Sequence, residues 1–332
     1  MLEEKTLLLL RDKKNLLAFS GGGDSTALFF LLLKNNIKFD IAIVDYGLRE
    51  QSKKEVAYAK KLANIYNFKC SLHVATNIEQ NFEANARKIR YDFFEELIST
   101  QSYENLLTAH HLGDRFEWML MQFCKGAGCA ELVGMQKVEQ RENYRLLRPL
   151  LHVDKSELLH YLHLEKIEYF EDETNKNESI KRNSFRHKYC EPLLKNNLAG
   201  IKKSFNYLDI DKSLLIDKVT PLHVEDFTYF RNSNTRTNIY YTDKYLKSIG
   251  YMMSASEREI LKTEKTLVLG RKYVVNQNKT YVFIAPFINE DIKMSKEFKE
   301  KMRTLRIEPK LRKYFYKFPE VFESLALSLL FE

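Results

Sequence analysis

The densest chemistry in the chain lies in six residues near its start, Ser20-Gly21-Gly22-Gly23-Asp24-Ser25. A short apolar run, Leu16–Phe19, precedes them and reads as a buried strand. Thr26–Leu33 follows and is long and apolar enough for a packed helix. A strand, a glycine turn and a helix start make an anion site. The first helical N–H groups have no internal partner, and the helix dipole favours negative charge there. Glycines let a phosphate approach the backbone with no Cβ in the way. Ser20 and Ser25 add hydroxyls, and Asp24 adds a carboxylate suited to a metal. No lysine follows the glycines, so this is not the GxxxxGK[ST] loop, and it lacks the GxGxxG spacing of dinucleotide sites.

Further polar residues recur at predicted strand ends. Asp45 closes the second strand, where an acid can bind Mg²⁺ or a nucleotide, or simply cap a solvated turn. Glu83, Arg87, Arg90 and Tyr91 share one edge of a helix. His110-His111-Leu112-Gly113-Asp114-Arg115-Phe116-Glu117 follows the fourth strand and sets acids at i and i+3 of a helix. Adjacent histidines point to opposite faces of a strand, and no CxxC or HExxH completes a zinc set. A polar lining for a cationic or phosphate ligand fits better. Gly126, Gly128 and Gly134 mark a loop beginning at Lys125, a residue able to touch phosphate. From Lys181 to Lys203 there are seven Lys/Arg, Arg182 and Arg186 among them, against one acid. Such a stripe suits a phosphate backbone, or a solvated helix face.

These residues need a scaffold that gathers strand ends. Residues 15–151 alternate strands (16–19, 39–44, 70–74, 106–109, 146–151) with helices (24–34, 53–66, 83–99, 114–123). That rhythm predicts an α/β fold, a Rossmann-like parallel sheet with helices on both faces and ligands at the carboxyl ends of its strands. Asp154 and Glu157 form a capping box for a further helix reaching about residue 166, and an acidic loop follows over 171–175. Residues 1–200 are read as one α/β domain built around the phosphate loop and 201–332 as a second, basic α+β region suited to nucleic acid. In the latter, 265–286 predicts a hairpin turning near Asn276–Lys279. Residues 293–317 hold ten Lys/Arg against three acids, with Phe298, Tyr314, Phe315 and Tyr316 interleaved. That pattern fits base stacking beside phosphate contacts, or a basic helix with its apolar face in a core.

Composition sets the remaining bounds. The 332 residues are enough for two domains, and 44% are hydrophobic, enough for sizeable cores. No apolar run reaches about 18 residues, which argues against a membrane helix. Leu7–Leu10 is too short for a secretory signal core. The four cysteines form no CxxC pair or disulfide framework, so a reducing cytoplasm is expected. The net charge of +8 points toward nucleic acid.

Taken together, SGGGDS (20–25), VDYGLR (44–49), EANARKIRY (83–91), AHHLGDRFE (109–117), KGAGCAELVGM (125–135), RPLL (148–151) and RNSFR (182–186) resemble the tRNA(Ile)-lysidine synthetase family of PP-loop ATP pyrophosphatases. Two of these motifs depart from the family pattern, at three positions. Tyr46 stands where VDHxLR has histidine, and Gly113-Asp114-Arg115 stands where HHxDDQxE has two acids and a glutamine. The resemblance implies ATP and Mg²⁺ as co-substrate and ion, and tRNA(Ile) with a CAU anticodon and free L-lysine as partners. A homodimer would be in keeping with it. It implies that the C2 oxygen of cytidine 34 takes the adenylyl group, and that lysine then displaces AMP. It assigns Ser20, Gly21, Gly22, Gly23, Asp24 and Ser25 to ATP, with Mg²⁺ at Asp24. Asp45, Arg87 and Arg90 join Asp24 in catalysis. Asp114, Glu117 and Arg182 go to lysine, and Lys125 and Arg186 to tRNA. The rival readings are a PP-loop enzyme that inserts sulfur into tRNA, a PP-loop amidotransferase or ligase acting on small metabolites, and an RNA-binding protein with a degenerate ATP site.

Overall fold

The computed structural model describes residues 1–47, 50–75, 82–171, 181–305 and 307–330. Leu48 and Arg49 of the VDYGLR motif, and 172–175 of the acidic loop, lie outside the described residues. The chain forms two compact units, Met1–Asp209 and Ile210–Glu332.

The first unit opens with α1 (Glu4–Leu10), β1 (Asn15–Ala18), α2 (Gly23–Lys34), β2 (Asp40–Asp45), α3 (Glu50–Tyr66) and β3 (Cys70–Val74). It continues with α4 (Phe82–Gln101), β4 (Asn105–Leu107), α5 (Leu112–Phe123), α6 (Cys129–Leu132), β5 (Val138–Gln140), β6 (Arg145–Leu147) and α7 (Lys155–Leu164). After α8 (Lys181–Phe185) the backbone makes one π-helical turn, Arg186–Cys190, and enters α9 (Glu191–Leu215), which spans the unit boundary. The sheet order is β3-β2-β1-β4-β6-β5, parallel throughout except for β5.

Helices cover both faces because these short strands are apolar on both sides. Leu17, Ile41, Ile43 and Leu107 face a core shared with α2, α3 and α7. Leu16, Ala42, Leu106 and Leu146, one residue out of phase, pack on Phe93, Phe94, Leu97 and Ile98 of α4. The expected α/β class is therefore what forms. Several elements were not expected, among them α6, inside the stretch read as a loop, and the following two. β5 is three residues long and mostly exposed, and α1 is a single amphipathic segment burying Leu7 and Leu10. The predicted fifth strand stops at Leu147, because Arg148–Leu151 turns instead of pairing.

The order of the sheet decides where a ligand can sit. β1 leads to β2 on one side, while β4 lies on β1's other side. The chain leaving β1 and the chain leaving β4 therefore diverge, and a crevice opens between their carboxyl ends.

The second unit holds a five-stranded antiparallel sheet in the order β7 (Leu222–Val224), β8 (Phe227–Arg231), β11 (Tyr281–Pro286), β10 (Tyr273–Gln277), β9 (Thr266–Leu269). The helices α10 (Thr235–Ser248) and α11 (Ala255–Ile260) fall between β8 and β9. The last three, α12 (Lys296–Thr304), α13 (Pro309–Lys317) and α14 (Pro319–Leu330), follow β11. Along β11, Tyr281, Phe283 and Ala285 pack on α12–α14, while Val282 and Ile284 pack on Ile239 and Leu246 of α10. The expected hairpin exists as β10–β11, with its turn shifted to Asn278–Thr280. The stacking reading of 293–317 fails for two of its aromatics. Tyr314 is 2% exposed and Phe315 fully buried, so they build the core and offer no face to a base.

Candidate functional site

The loop after β1 is held open by its own polar groups. Ser25 Oγ lies 3.0 Å from Ser20 Oγ and donates to the Gly22 carbonyl at 3.1 Å. Thr26 Oγ1 donates to the Gly21 carbonyl at 3.2 Å. Gly22 caps α2 without a side chain, which leaves the first amides of the helix with no side-chain partner. Gly21 has φ +77°, a conformation that favours glycine. From below, the Phe170 N–H donates to the Gly21 carbonyl at 3.0 Å, and a Cβ on Gly23 would meet Leu159 at 3.2 Å and Tyr169 at 3.4 Å. The sequence did not reveal this brace from the Tyr169-Phe170 segment, because nothing local marks a contact 150 residues away.

A cavity of about 280 Å³ lies at the crevice, lined by Ser20, Asp24 and Ser25 from the loop, Tyr46 after β2, Arg90 and Tyr91 of α4, and Thr108, His110 and Asp114 after β4. Asp24 is the acid of the loop. Its Oδ1 is buried with no hydrogen-bond partner, and its Oδ2 lies 3.8 Å from His111 Nε2. An orphaned buried carboxylate oxygen is costly unless a cation or donor arrives. The donor chemistry fits Mg²⁺, which takes one or two carboxylates and completes its shell with phosphate oxygens and water. Among the described residues no three His, Cys, Asp or Glu side chains could enclose a metal, so phosphate would have to share the task.

His111 joins the loop to α5. Its Nδ1 accepts from the Gly113 N–H at 3.0 Å, which places the ring proton on Nε2, the atom facing both Asp24 and Asp114. Asp114 closes the capping box by accepting from the His111 N–H at 3.0 Å. Burial pushes the Asp114 carboxyl up, but His111, His110, that N–H and Arg182 outweigh it and hold the group well below its ordinary value. Burial drives the His110 imidazole down to about 4, helped by Arg148, Arg87 and Arg90 and opposed by Asp114. His110 is therefore neutral near pH 7, with Nδ1 bonded to Thr108 Oγ1 at 2.9 Å.

Asp114 and Glu117 are met by two arginines one helical turn apart. Arg182 Nε donates to Glu117 and its Nη2 lies 3.3 Å from Asp114 Oδ1. Arg186 Nε donates to Glu117 Oε2 at 2.9 Å, with Nη2 3.4 Å from Asp114 Oδ1. The π-helical turn at Arg186 is a common device for re-aiming side chains at functional sites. Glu117 is 2% exposed, whereas the Arg182 side chain remains 44% exposed. The basic stripe thus divides. Arg182 and Arg186 turn inward and Lys202 bonds Glu157 at 2.7 Å, while Lys188, Lys195 and Lys203 stay exposed.

The departures from the family pattern have local reasons. The Tyr46 hydroxyl, raised by burial, donates to the Ala86 carbonyl at 3.2 Å and ties the β2 end to α4. A Cβ at Gly113 would stand 2.7 Å from His111 Cε1, so the capping ring fills the space that a side chain would take. Arg115, 3% exposed, donates to the Val133 carbonyl at 3.1 Å and pairs with Asp209, away from the cavity. Of the remaining candidates, Asp45 accepts from the Gly47 N–H at 2.8 Å within its own turn. Arg87 is exposed, its guanidinium 4.9 Å from the Tyr91 ring centre, and Lys125 is exposed just past α5. The structure brings Ser20, Asp24, Ser25, Arg90 and Asp114 to one cavity, with Arg182 and Arg186 reaching both Asp114 and Glu117 beside it, while Gly21, Gly22 and Gly23 are not among the lining residues. It leaves Asp45, Arg87 and Lys125 outside the cavity lining.

Residues 2–193 match the PP-loop domain model. The tRNA(Ile)-lysidine synthase of Helicobacter pylori is 42% identical over 85% of this chain and 82% of its own length. That of Wolinella succinogenes is 42% identical over 86% and 87%. Among solved structures, a U34-tRNA thiolase from Methanococcus maripaludis, described with its [4Fe-4S] cluster, superposes with a TM-score of 0.53 at 17% identity, covering 64% of this chain and 75% of its own. That likeness is one of fold.

Proposed function

The chain belongs to the tRNA(Ile)-lysidine synthase family, and from that premise we propose how its crevice makes lysidine. The chain is an ATP-dependent PP-loop enzyme that acts on tRNA(Ile). In our reading the cytidine 34 C2 oxygen attacks the ATP α-phosphorus, pyrophosphate leaves, and the amine of free L-lysine then attacks C2 and expels AMP. The Gly21–Ser25 backbone and the α2 N-terminus grip the outgoing pyrophosphate. Arg90, at the cavity wall, offsets charge building on the α-phosphate. A Mg²⁺ bound by Asp24 and phosphate oxygens would neutralise leaving-group charge.

The four-residue cluster suits free lysine. An amino acid presents both a carboxylate and ammonium groups, and the cluster offers both signs of charge. The exposed Arg182 takes the carboxylate, while Asp114, held ionised by its neighbours, takes an ammonium. Glu117 holds both arginines in place. The attacking amine must be unprotonated, and a partly desolvated site lowers an amine pKa. Lys125 and the outward lysines of the stripe are read as contacts to tRNA. The same reading puts the enzyme in the cytoplasm and allows a homodimer. No helix among the described residues is long and apolar enough to cross a membrane.

The observation carrying the proposal is the unpartnered Asp24 Oδ1 in a cavity lined by Ser20, Asp24 and Ser25, at the N-terminus of α2, which no side chain caps. The test is pyrophosphate release and labelled-lysine incorporation with ATP and a CAU-anticodon transcript. Both should require lysine and RNA together for full turnover. Sulfur transfer instead, or RNA binding without any pyrophosphate, would overturn the reading.

A further inference from the structure

Trp118 is the chain's sole tryptophan, and it is 45% exposed. It sits on α5, four residues after Asp114 and so on the same helix face, one turn from a residue that lines the cavity. Helical side chains lean toward the N-terminus, which on α5 is the end at the cavity. The ring is not loose. Gly134 has φ +62°, and a Cβ there would stand 2.4 Å from Trp118 Cδ1, so the indole is seated against bare backbone of the glycine loop. The indole N–H has no hydrogen-bond partner among the described residues. One side of the ring is thus supported by protein and the rest stands in solvent. The exposed Arg182 lies beside the neighbouring Glu117, and the exposed Lys125 just beyond the helix.

We propose that Trp118 is a stacking platform for a base flanking the reacting cytidine. The inference rests on the reading that tRNA is the substrate. A cytosine whose C2 oxygen must reach an α-phosphate has to leave its stack, and this exposes the face of its neighbour. A fixed aromatic ring one helical turn from the site offers that face a new partner, and the exposed Lys125 just beyond the helix can hold an adjoining phosphate. Trp118 then acts as a positioning residue, setting the register of the anticodon loop without touching the reacting atoms. A protein partner for this ring is disfavoured by the chain's +8 charge and by the basic residues around it.

Because the tryptophan is unique, its emission reports on this one ring. The full chain is titrated with a CAU-anticodon stem-loop RNA, with binding followed in parallel by filter retention. Emission should fall with the same midpoint as retention. Trp118→Ala should bind the RNA roughly tenfold more weakly, the scale of base–aromatic stacking, and Trp118→Phe should recover most of the loss. In turnover, Trp118→Ala should raise KM for RNA while kcat stays within about twofold. Retained RNA with unchanged emission, or a Trp118→Ala variant that binds like the parent chain, overturns the platform. Quenching by RNA into which lysine is never incorporated would support the platform while contradicting the lysidine reading.

Discussion

The two ends of β1 and β4 carry buried polar side chains of opposite character. At their amino ends, Asn15 and Asn105 are 1% and 0% exposed, and every amide atom is satisfied. Asn15 Nδ2 donates to the carbonyls of Leu10 at 2.9 Å and Lys38 at 2.8 Å. Asn105 Nδ2 donates to Asn15 Oδ1 at 2.7 Å, and Arg145 Nε donates to Asn105 Oδ1 at 2.9 Å. At their carboxyl ends, Asp24 Oδ1 is buried without a partner, His110 is held neutral against its ordinary pKa, and charged groups crowd a cavity. A closed network pins strands and leaves nothing for a ligand. An open one costs stability and is kept because a ligand completes it.

Substitutions at the two ends should therefore separate. Asp24→Ala should cut pyrophosphate release by roughly a thousandfold, the scale of losing a principal transition-state charge partner. Thermal stability should hold or rise, since an unpaired buried oxygen is removed. A variant melting far lower would place Asp24 among the structural groups. At the other end, Asn105→Ala strands Asn15 Oδ1 and Arg145 Nε, and should cost about 3 kcal/mol in urea unfolding. The folded fraction should turn over normally. An altered KM for ATP would blur the distinction between the ends.

His110 sharpens the contrast through pH. Its folded pKa of about 4 lies below the ordinary 6.5, so as pH falls the unfolded chain takes the proton first. Stability is unaffected above about pH 6.5 and is lost progressively down to about 4, by up to about 3 kcal/mol. His110→Gln should flatten that part of the stability–pH curve, and an unchanged slope would remove His110 from the account. The smallest effect belongs to the solvated part of the stripe. Replacing Lys188, Lys195 and Lys203 by Gln should weaken tRNA binding several-fold and lower its salt slope by about two. An unaltered slope would leave these lysines as plain helix surface.

The same contrast explains what could be read from the sequence. SGGGDS was legible because strand, glycines, hydroxyls and acid are contiguous and their spacing carries the chemistry. The alternating cores of β1–β4 were legible from apolar runs. The ion pairs of Asp114 and Glu117 with Arg182 and Arg186 were not, since they join residues 65 to 72 apart; the sequence shows only the i, i+3 acids and the i, i+4 arginines, and the resemblance alone put Asp114, Glu117 and Arg182 at one ligand. Tyr314 and Phe315 misled for the converse reason. Aromatics between lysines look alike whether a base or a β-sheet covers them, and here Phe227 packs on both. Asn15 and Asn105 carry no local mark at all, because their function is to meet each other across strands.

The central claim is that the Gly21–Ser25 turn holds the outgoing pyrophosphate. A crystal structure of the chain with a non-hydrolysable ATP analogue and Mg²⁺ tests it most directly. The account requires the β- and γ-phosphates on the amides of Gly21–Ser25, with the metal at Asp24 Oδ1. A triphosphate bound elsewhere, with Asp24 Oδ1 still unpaired, would contradict it.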